Sequence, residues 1–175
     1  AGYFSAAELA DFAPTLRTQG TLGGELYALG AFDSALVLYY DREMLAQAGV
    51  APPAAGRGWT WDEFLAACAQ LKAAGFDPVA MHMDITGDEW YTYAFSPVIW
   101  SAGGRLIDAA GRQVAGVLNA PGNAAALRRW REIFERDYAA RAPIDPDPFG
   151  HGQTAMDWSG HWMVRSHLEA KGARL

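Results

Sequence analysis

The residues Ala35-Leu36-Val37-Leu38-Tyr39-Tyr40 form an uninterrupted apolar run of strand length, and Asp41 follows at once. A run without alternation fits a strand covered on both faces, as in a sheet flanked by helices. Asp41 is a good N-cap, because its carboxylate can accept the free amides of a first helical turn. Behind it Met44, Leu45 and Ala48 recur at helical spacing, and Gly49 stops the pattern. Strand-then-helix in immediate succession limits the chain to an α/β or mixed α+β architecture.

The rest of the chain repeats this grammar. Ser5 to Glu8 has the spacing of a capping box, with Leu9 and Phe12 facing inward, and Glu25 to Leu29 reads as a strand. After a Pro- and Gly-rich loop, Thr60-Trp61-Asp62-Glu63 forms a second capping box. Trp61, Phe64, Leu65, Cys68 and Leu71 follow at spacings of helical period, and Gly75 ends them. Val79 to Met83 reads as a strand, Asp84 to Asp88 as a polar turn, and Glu89 to Ala102 as an aromatic helix containing Pro97. Arg105 to Asp108 and Gln113 to Leu118, about a turn at Ala109 to Gly111, predict a β-hairpin. Asn119-Ala120-Pro121 opens a helix with the stripe Leu127, Trp130, Phe134 and Tyr138. A loop from Ala142 to Gly152, a strand from Thr154 to Ser159 and a helix from His161 to Ala170 complete the chain.

Composition excludes several classes. The net charge is -6 and the basic residues form no run, which argues against nucleic acid. No stretch reaches the ~18 apolar residues of a membrane span. Ala1-Gly2-Tyr3-Phe4 has neither an initiator methionine nor the layout of a signal peptide, so a piece of a longer protein is expected. Cys68 sits among apolar neighbours on a helix and reads as a buried thiol. His151, His161 and His167 lack metal-ligand spacing and His82 lies in a predicted strand, so no metal and no cofactor is expected. G-x-S-x-G and phosphate-loop patterns are absent.

Seven Trp and seven Tyr stand out. Aromatic faces pack on the apolar face of a pyranose, and carboxylates accept hydrogen bonds from its hydroxyls. Asp88 and Glu89 beside Trp90-Tyr91, with Asp157 beside Trp158, therefore leave two readings equally open. One is a glycosidase with paired carboxylates such as Glu89 and Asp157; the other is a sugar binder.

An ordered set of motifs tips that balance. Leu36 to Val50 (LVLYYDREMLAQAGV), Thr60 to Phe64 (TWDEF), Trp100 to Asp108 (WSAGGRLID), Leu118 to Pro121 (LNAP) and Phe149 to Trp162 (FGHGQTAMDWSGHW) resemble, in order and spacing, family 1 extracellular solute-binding proteins. The resemblance covers roughly residues 20 to 172. It implies one lobe of a type II periplasmic-binding-protein fold, with a parallel-rich mixed sheet flanked by helices. Residues 1–30 would be a remnant of the N-terminal lobe and 31–175 the second lobe.

The same resemblance implies the extracytoplasmic receptor of an ABC sugar importer, periplasmic or lipid-anchored, without enzymatic activity. Its partners would be a sugar or oligosaccharide and the transporter permease subunits. Trp162, in the G-x-W ending, matches a position where the family stacks an aromatic on sugar. Glu89, Trp90 and Tyr91 are similar to an E-P-Y segment of maltose-type receptors, with Trp90 in place of the proline. Asp33 and Ser34 fall at one crossover, and Asp157 and Trp158 border the other. Trp61, Trp100 and Trp130 are taken as structural. A receptor for a non-sugar solute is the third reading.

Overall fold

A computed structural model describes residues 3–83, 89–142 and 145–175. The chain divides into two compact units, Ala1–Ala35 and Leu36–Leu175.

The first unit carries helix α1 (Ala6–Asp11), helix α2 (Pro14–Gln19) and the two-residue strands β1 (Thr21–Leu22) and β2 (Glu25–Leu26). The Ser5–Glu8 capping box is fully formed. Yet Leu9 and Phe12 are only half-buried, and none of the described residues of this unit is fully buried. The expected strand to Leu29 stops at Leu26, because the amides of Tyr27 and Ala28 both donate to the Gly20 carbonyl and end the ladder.

The second unit opens with β3 (Leu36–Tyr40) and α3 (Arg42–Gln47). Asp41 caps α3 through Oδ1, which accepts from the amides of Glu43 and Met44 at 3.0 and 3.2 Å. Helix α4 (Trp61–Ala73) follows, with a complete Thr60–Glu63 capping box and Phe64, Leu65, Ala67, Cys68 and Leu71 buried. Strand β4 (Asp77–Ala80) is shorter than predicted. His82 adopts φ +50°, a left-handed conformation that no strand continues through. The polar turn expected at Asp84 to Asp88 lies outside the described residues. Helix α5 (Trp90–Ser101) runs through Pro97, which removes one amide from the helix ladder. Helix α6 (Pro121–Glu135) starts on its proline. Strand β5 (Thr154–Gly160), a 3₁₀ turn at His161–Met163 and helix α7 (Val164–Lys171) close the unit.

The sheet order is β3–β5–β4, with β3 antiparallel and β4 parallel to the central β5. The apolar run of β3 therefore forms an edge and is not covered on both faces: Val37 is 39% exposed. Burial of that kind goes to β5, which has a neighbour on each side. Cross-strand pairs set the two faces of the sheet. Leu38 opposite Trp158 and Tyr40 opposite Met156 pack toward the main core with Phe64, Leu71, Val79, Phe95 and Ile133. Tyr39 opposite Asp157 faces the other way, where the Tyr39 ring meets His167 of α7 at 4.6 Å. Helices on both faces of a mixed sheet make this an α/β unit, as the sequence implied.

Two sequence expectations fail here. Residues 105–118 form turns and no ladder, so the predicted hairpin is absent. The buried side chain of Asn123 stands within hydrogen-bond reach of the carbonyls of Arg105, Val117 and Leu118 at 2.7, 3.0 and 3.1 Å. Asp108 likewise takes the amides of Arg112 and Gln113. Side chains thus capture the groups a hairpin would have paired. The stripe of α6 is also rotated: Asn123, Ala126 and Ile133 are buried, while Leu127 is exposed.

Candidate functional site

Strand β5 delivers the best-defined surface aromatic. It ends at Gly160, and the chain turns through His161 into Trp162, whose indole lies over Gly160. A Cβ at position 160 would overlap the ring carbons, so the glycine of the G-x-W motif is what lets the indole lie there. Trp162 remains 48% exposed. Its ring meets Tyr93 at 5.9 Å and 33°. Tyr93 in turn meets Trp90 at 6.3 Å, and Trp90 meets His82 edge-on at 5.9 Å. The result is a graded row, with an exposed indole at one end and a buried one, Trp90, at the other.

Tyr91 does not join this row. Positions 91 and 93 are two apart, about 200° around a helix with 3.6 residues per turn. Tyr91 therefore sides with Phe95, at 5.7 Å, and with the Phe95–Trp130–Phe134 stack behind it. Its hydroxyl donates to the Met83 carbonyl at 2.7 Å. Tyr93 was missed in the sequence, although it lies one helical turn after Trp90 and so had to share its face.

Glu89 is exposed at the N-cap of α5, and its side chain makes no capping bond. Asp157 is placed differently from the sequence expectation. It is 1% exposed and both its oxygens are taken, Oδ1 by His82 Nε2 at 2.6 Å and Oδ2 by His167 Nε2 at 2.9 Å. Alternation along β5 turns it to the inner side under α7. Burial pushes its carboxyl up, but the hydrogen bonds with His167 and His82 and the electrostatic pull of those rings outweigh burial and hold it below the usual range. The same burial and the nearby Asp157 charge raise the Tyr39 hydroxyl. His167 is fully buried, and among the described residues its Nδ1 has no partner. Asp157 thus ties β5 to α7 and to the segment that follows β4.

Trp158 faces away from Asp157 and is half-buried. Its indole N–H donates to the Ala94 carbonyl at 3.0 Å, which fixes β5 to α5. Asp33 and Ser34 belong to the first unit. Asp33 accepts the Thr15 hydroxyl and the Ser34 amide, both at 2.9 Å, in a local turn. Among the described residues, no group of three or more His, Cys, Asp or Glu is placed to hold a metal ion.

A binding protein of Brucella abortus is 27% identical over 137 residues, covering 77% of this chain and 31% of that protein. The cyclic α-maltosyl-1,6-maltose binding protein of Arthrobacter globiformis superposes with a TM-score of 0.73 at 25% identity, over 94% of this chain and 41% of that one. The GacH receptor of Streptomyces glaucescens gives 0.73 at 23%, over 94% and 40%. The sugar-binding protein MalE of Xanthomonas citri gives 0.72 at 18%, over 97% and 44%. The last two establish the fold alone. This chain spans less than half the length of each of these proteins. The family described as bacterial extracellular solute-binding protein matches residues 2–175, and the chain belongs to that family.

Proposed function

We propose that this chain is the sugar-holding part of the extracytoplasmic receptor of an ABC importer, and that it binds its ligand without transforming it. The carrying observation is the half-exposed Trp162, seated on Gly160 and backed by Tyr93. A fixed aromatic plane of this kind suits the apolar face of a pyranose, and its low side-chain freedom keeps the cost of ordering small. The cyclic α-maltosyl-1,6-maltose binding protein of Arthrobacter globiformis, a solved relative, supports the same class of ligand. Exposed Glu89 would accept sugar hydroxyls, and Tyr91 would flank the rim. Trp90, Asp157 and Trp158 would act from behind the surface.

In this reading residues 1–30 are a remnant of the N-terminal lobe and residues 31–175 the second lobe, with Asp33 and Ser34 at a crossover segment. The permease subunits are the receptor's protein partners. A glycosidase is disfavoured because Asp157, the second carboxylate of the pair, has both oxygens occupied in the interior.

The test is calorimetric titration of the full-length receptor with maltose-type oligosaccharides, comparing wild type with Trp162→Ala. Binding should weaken by roughly 1–3 kcal/mol, as for other aromatic hot spots, with little change in melting temperature. Unchanged affinity would remove Trp162 from the site. Steady hydrolysis of these sugars, lost in Glu89→Gln, would overturn the binder reading.

A further inference from the structure

The buried carboxylate of Asp157 is linked to the surface aromatic Trp162 through the α7 side of the sheet. Asp157 Oδ2 holds His167 Nε2 at 2.9 Å, and the fully buried His167 ring stands edge-on to Tyr39 at 4.6 Å and 75°. Phe149 packs edge-on against the same imidazole at 4.8 Å. With its neighbour held in this way, the Tyr39 ring has a fixed surface to rest on. Its hydroxyl donates to the Gly160 carbonyl at 3.0 Å. Burial and the Asp157 charge both raise that hydroxyl above the ordinary tyrosine range, so it keeps the proton it donates.

Gly160 is the residue on which the Trp162 indole lies, and the missing Cβ is what makes room for the ring. The same absence leaves a glycine backbone freer to turn than that of any other residue. The seat is therefore necessary and intrinsically loose. A hydrogen bond on its carbonyl, from a ring that is itself held, restrains the peptide from which the chain enters the His161–Met163 turn.

The other support of the indole leads back to the same carboxylate. Tyr93 meets Trp162, Trp90 meets Tyr93, and His82 meets Trp90 edge-on. His82 Nε2 in turn binds Asp157 Oδ1 at 2.6 Å. One oxygen of Asp157 thus leads to the seat of Trp162 and the other to its backing.

We infer that Tyr39 is a positioning residue for ligand recognition: by holding the Gly160 carbonyl it fixes the plane that Trp162 presents to a sugar. Tyr39 does not itself touch the ligand. This rests on the reading of Trp162 as the stacking residue.

A double-substitution cycle in the full-length receptor tests it, read by calorimetric titration with maltose. Tyr39→Phe removes one hydroxyl and keeps the ring against His167. It should weaken binding about threefold to tenfold, the range of a single hydrogen bond. In a Trp162→Ala background the same substitution should change affinity by less than about twofold, because the plane it positions is gone. Thr60→Ala, which loosens the start of α4, controls for stability alone and should leave affinity unchanged. If Trp162→Ala weakens binding but Tyr39→Phe does not, or if Tyr39→Phe weakens it equally in both backgrounds, the inference falls and Trp162 remains the stacking residue. Unchanged affinity in Trp162→Ala would overturn that reading and this inference together. Fluorine NMR of the sugar-free receptor labelled with fluorotryptophan gives a readout that needs no ligand, the Trp162 resonance being identified by its loss in Trp162→Ala. Tyr39→Phe should shift or broaden that resonance while Thr60→Ala leaves it in place; a resonance unmoved by Tyr39→Phe overturns the inference whatever the affinities.

Discussion

The helices α1 and α4 begin with the same local device and end in opposite circumstances. Ser5–Glu8 and Thr60–Glu63 each form a capping box with both reciprocal bonds. Behind Thr60 five side chains are buried, whereas behind Ser5 none is. Arg57 also pairs with Glu63, and with the Thr60 amide it holds that carboxyl at about 2. A cap thus specifies where a helix begins but contributes to global stability only when the helix has a core to close on. Isolated helices of α1's length are marginal in water. The second unit goes further and closes its core with buried polar ties. Asp41 caps α3 with one oxygen and holds Lys171 of α7 at 3.0 Å with the other, both side chains being inaccessible. Asp157 does the same between His82 and His167.

Breaking the Asp41 tie should have the largest effect. Asp41→Ala leaves Lys171 buried without its partner, and such losses cost about 3–5 kcal/mol. Chemical denaturation should show this, and replacing Lys171 by Met in the same protein should recover part of the loss. A cost of Asp41→Ala near that of a surface mutation would show that water reaches Lys171 and that the tie is weak.

The second tie responds to acid. The carboxyl of Asp157 is depressed in the folded state, so its contribution is complete above the ordinary aspartate value of about 3.9 and is lost as pH falls through the folded value. Stability measured from pH 6 downward should fall below about pH 4. Asp157→Asn should be less stable at neutral pH and lack that carboxylate's share of the acid decline, so the two curves converge. Parallel curves would assign the decline to other groups.

The smallest effects test the caps directly. Thr60→Ala should cost about 1 kcal/mol of global stability. Ser5→Ala should leave the global transition unchanged and increase only the local exchange of the α1 amides. Equal losses from the two would show that α1 contributes to the cooperative core.

Much of the secondary structure was legible because its determinants are local. The N-caps Asp41 and Thr60, the spacing from Phe64 to Leu71, and Pro121 at the start of α6 act over a few residues, and each element formed where expected. The failed hairpin shows the limit. Arg105 to Leu118 carries strand-like residues and a turn, but Asn123 on α6 captures three of its carbonyls. That competitor is distant from the start of the hairpin and has no strand character to betray it.

The candidate site divides in the same way. Trp162 could be singled out from Gly-x-Trp, because Gly160 controls the seat of that ring from two positions away. Tyr93 was recoverable from helical phase, as it follows Trp90 by three residues on one helix. The fate of Asp157 was not recoverable. Strand alternation sets Asp157 and Trp158 on opposite faces, but nothing local says which face α7 covers or that two histidines meet beneath it.

The sequence by itself determined where elements start and stop, which residue types alternate along β5, and the family to which the chain belongs. Caps, turn residues and periodicity act within one or two turns of chain, where geometry is nearly independent of the remainder. Only the tertiary structure decided that β5 and not the apolar β3 is central, that Tyr93 and not Tyr91 backs Trp162, and that Asp157 is buried between two histidines. Those outcomes depend on which surfaces meet across long sequence separations, where burial and hydrogen-bond competition override local preference.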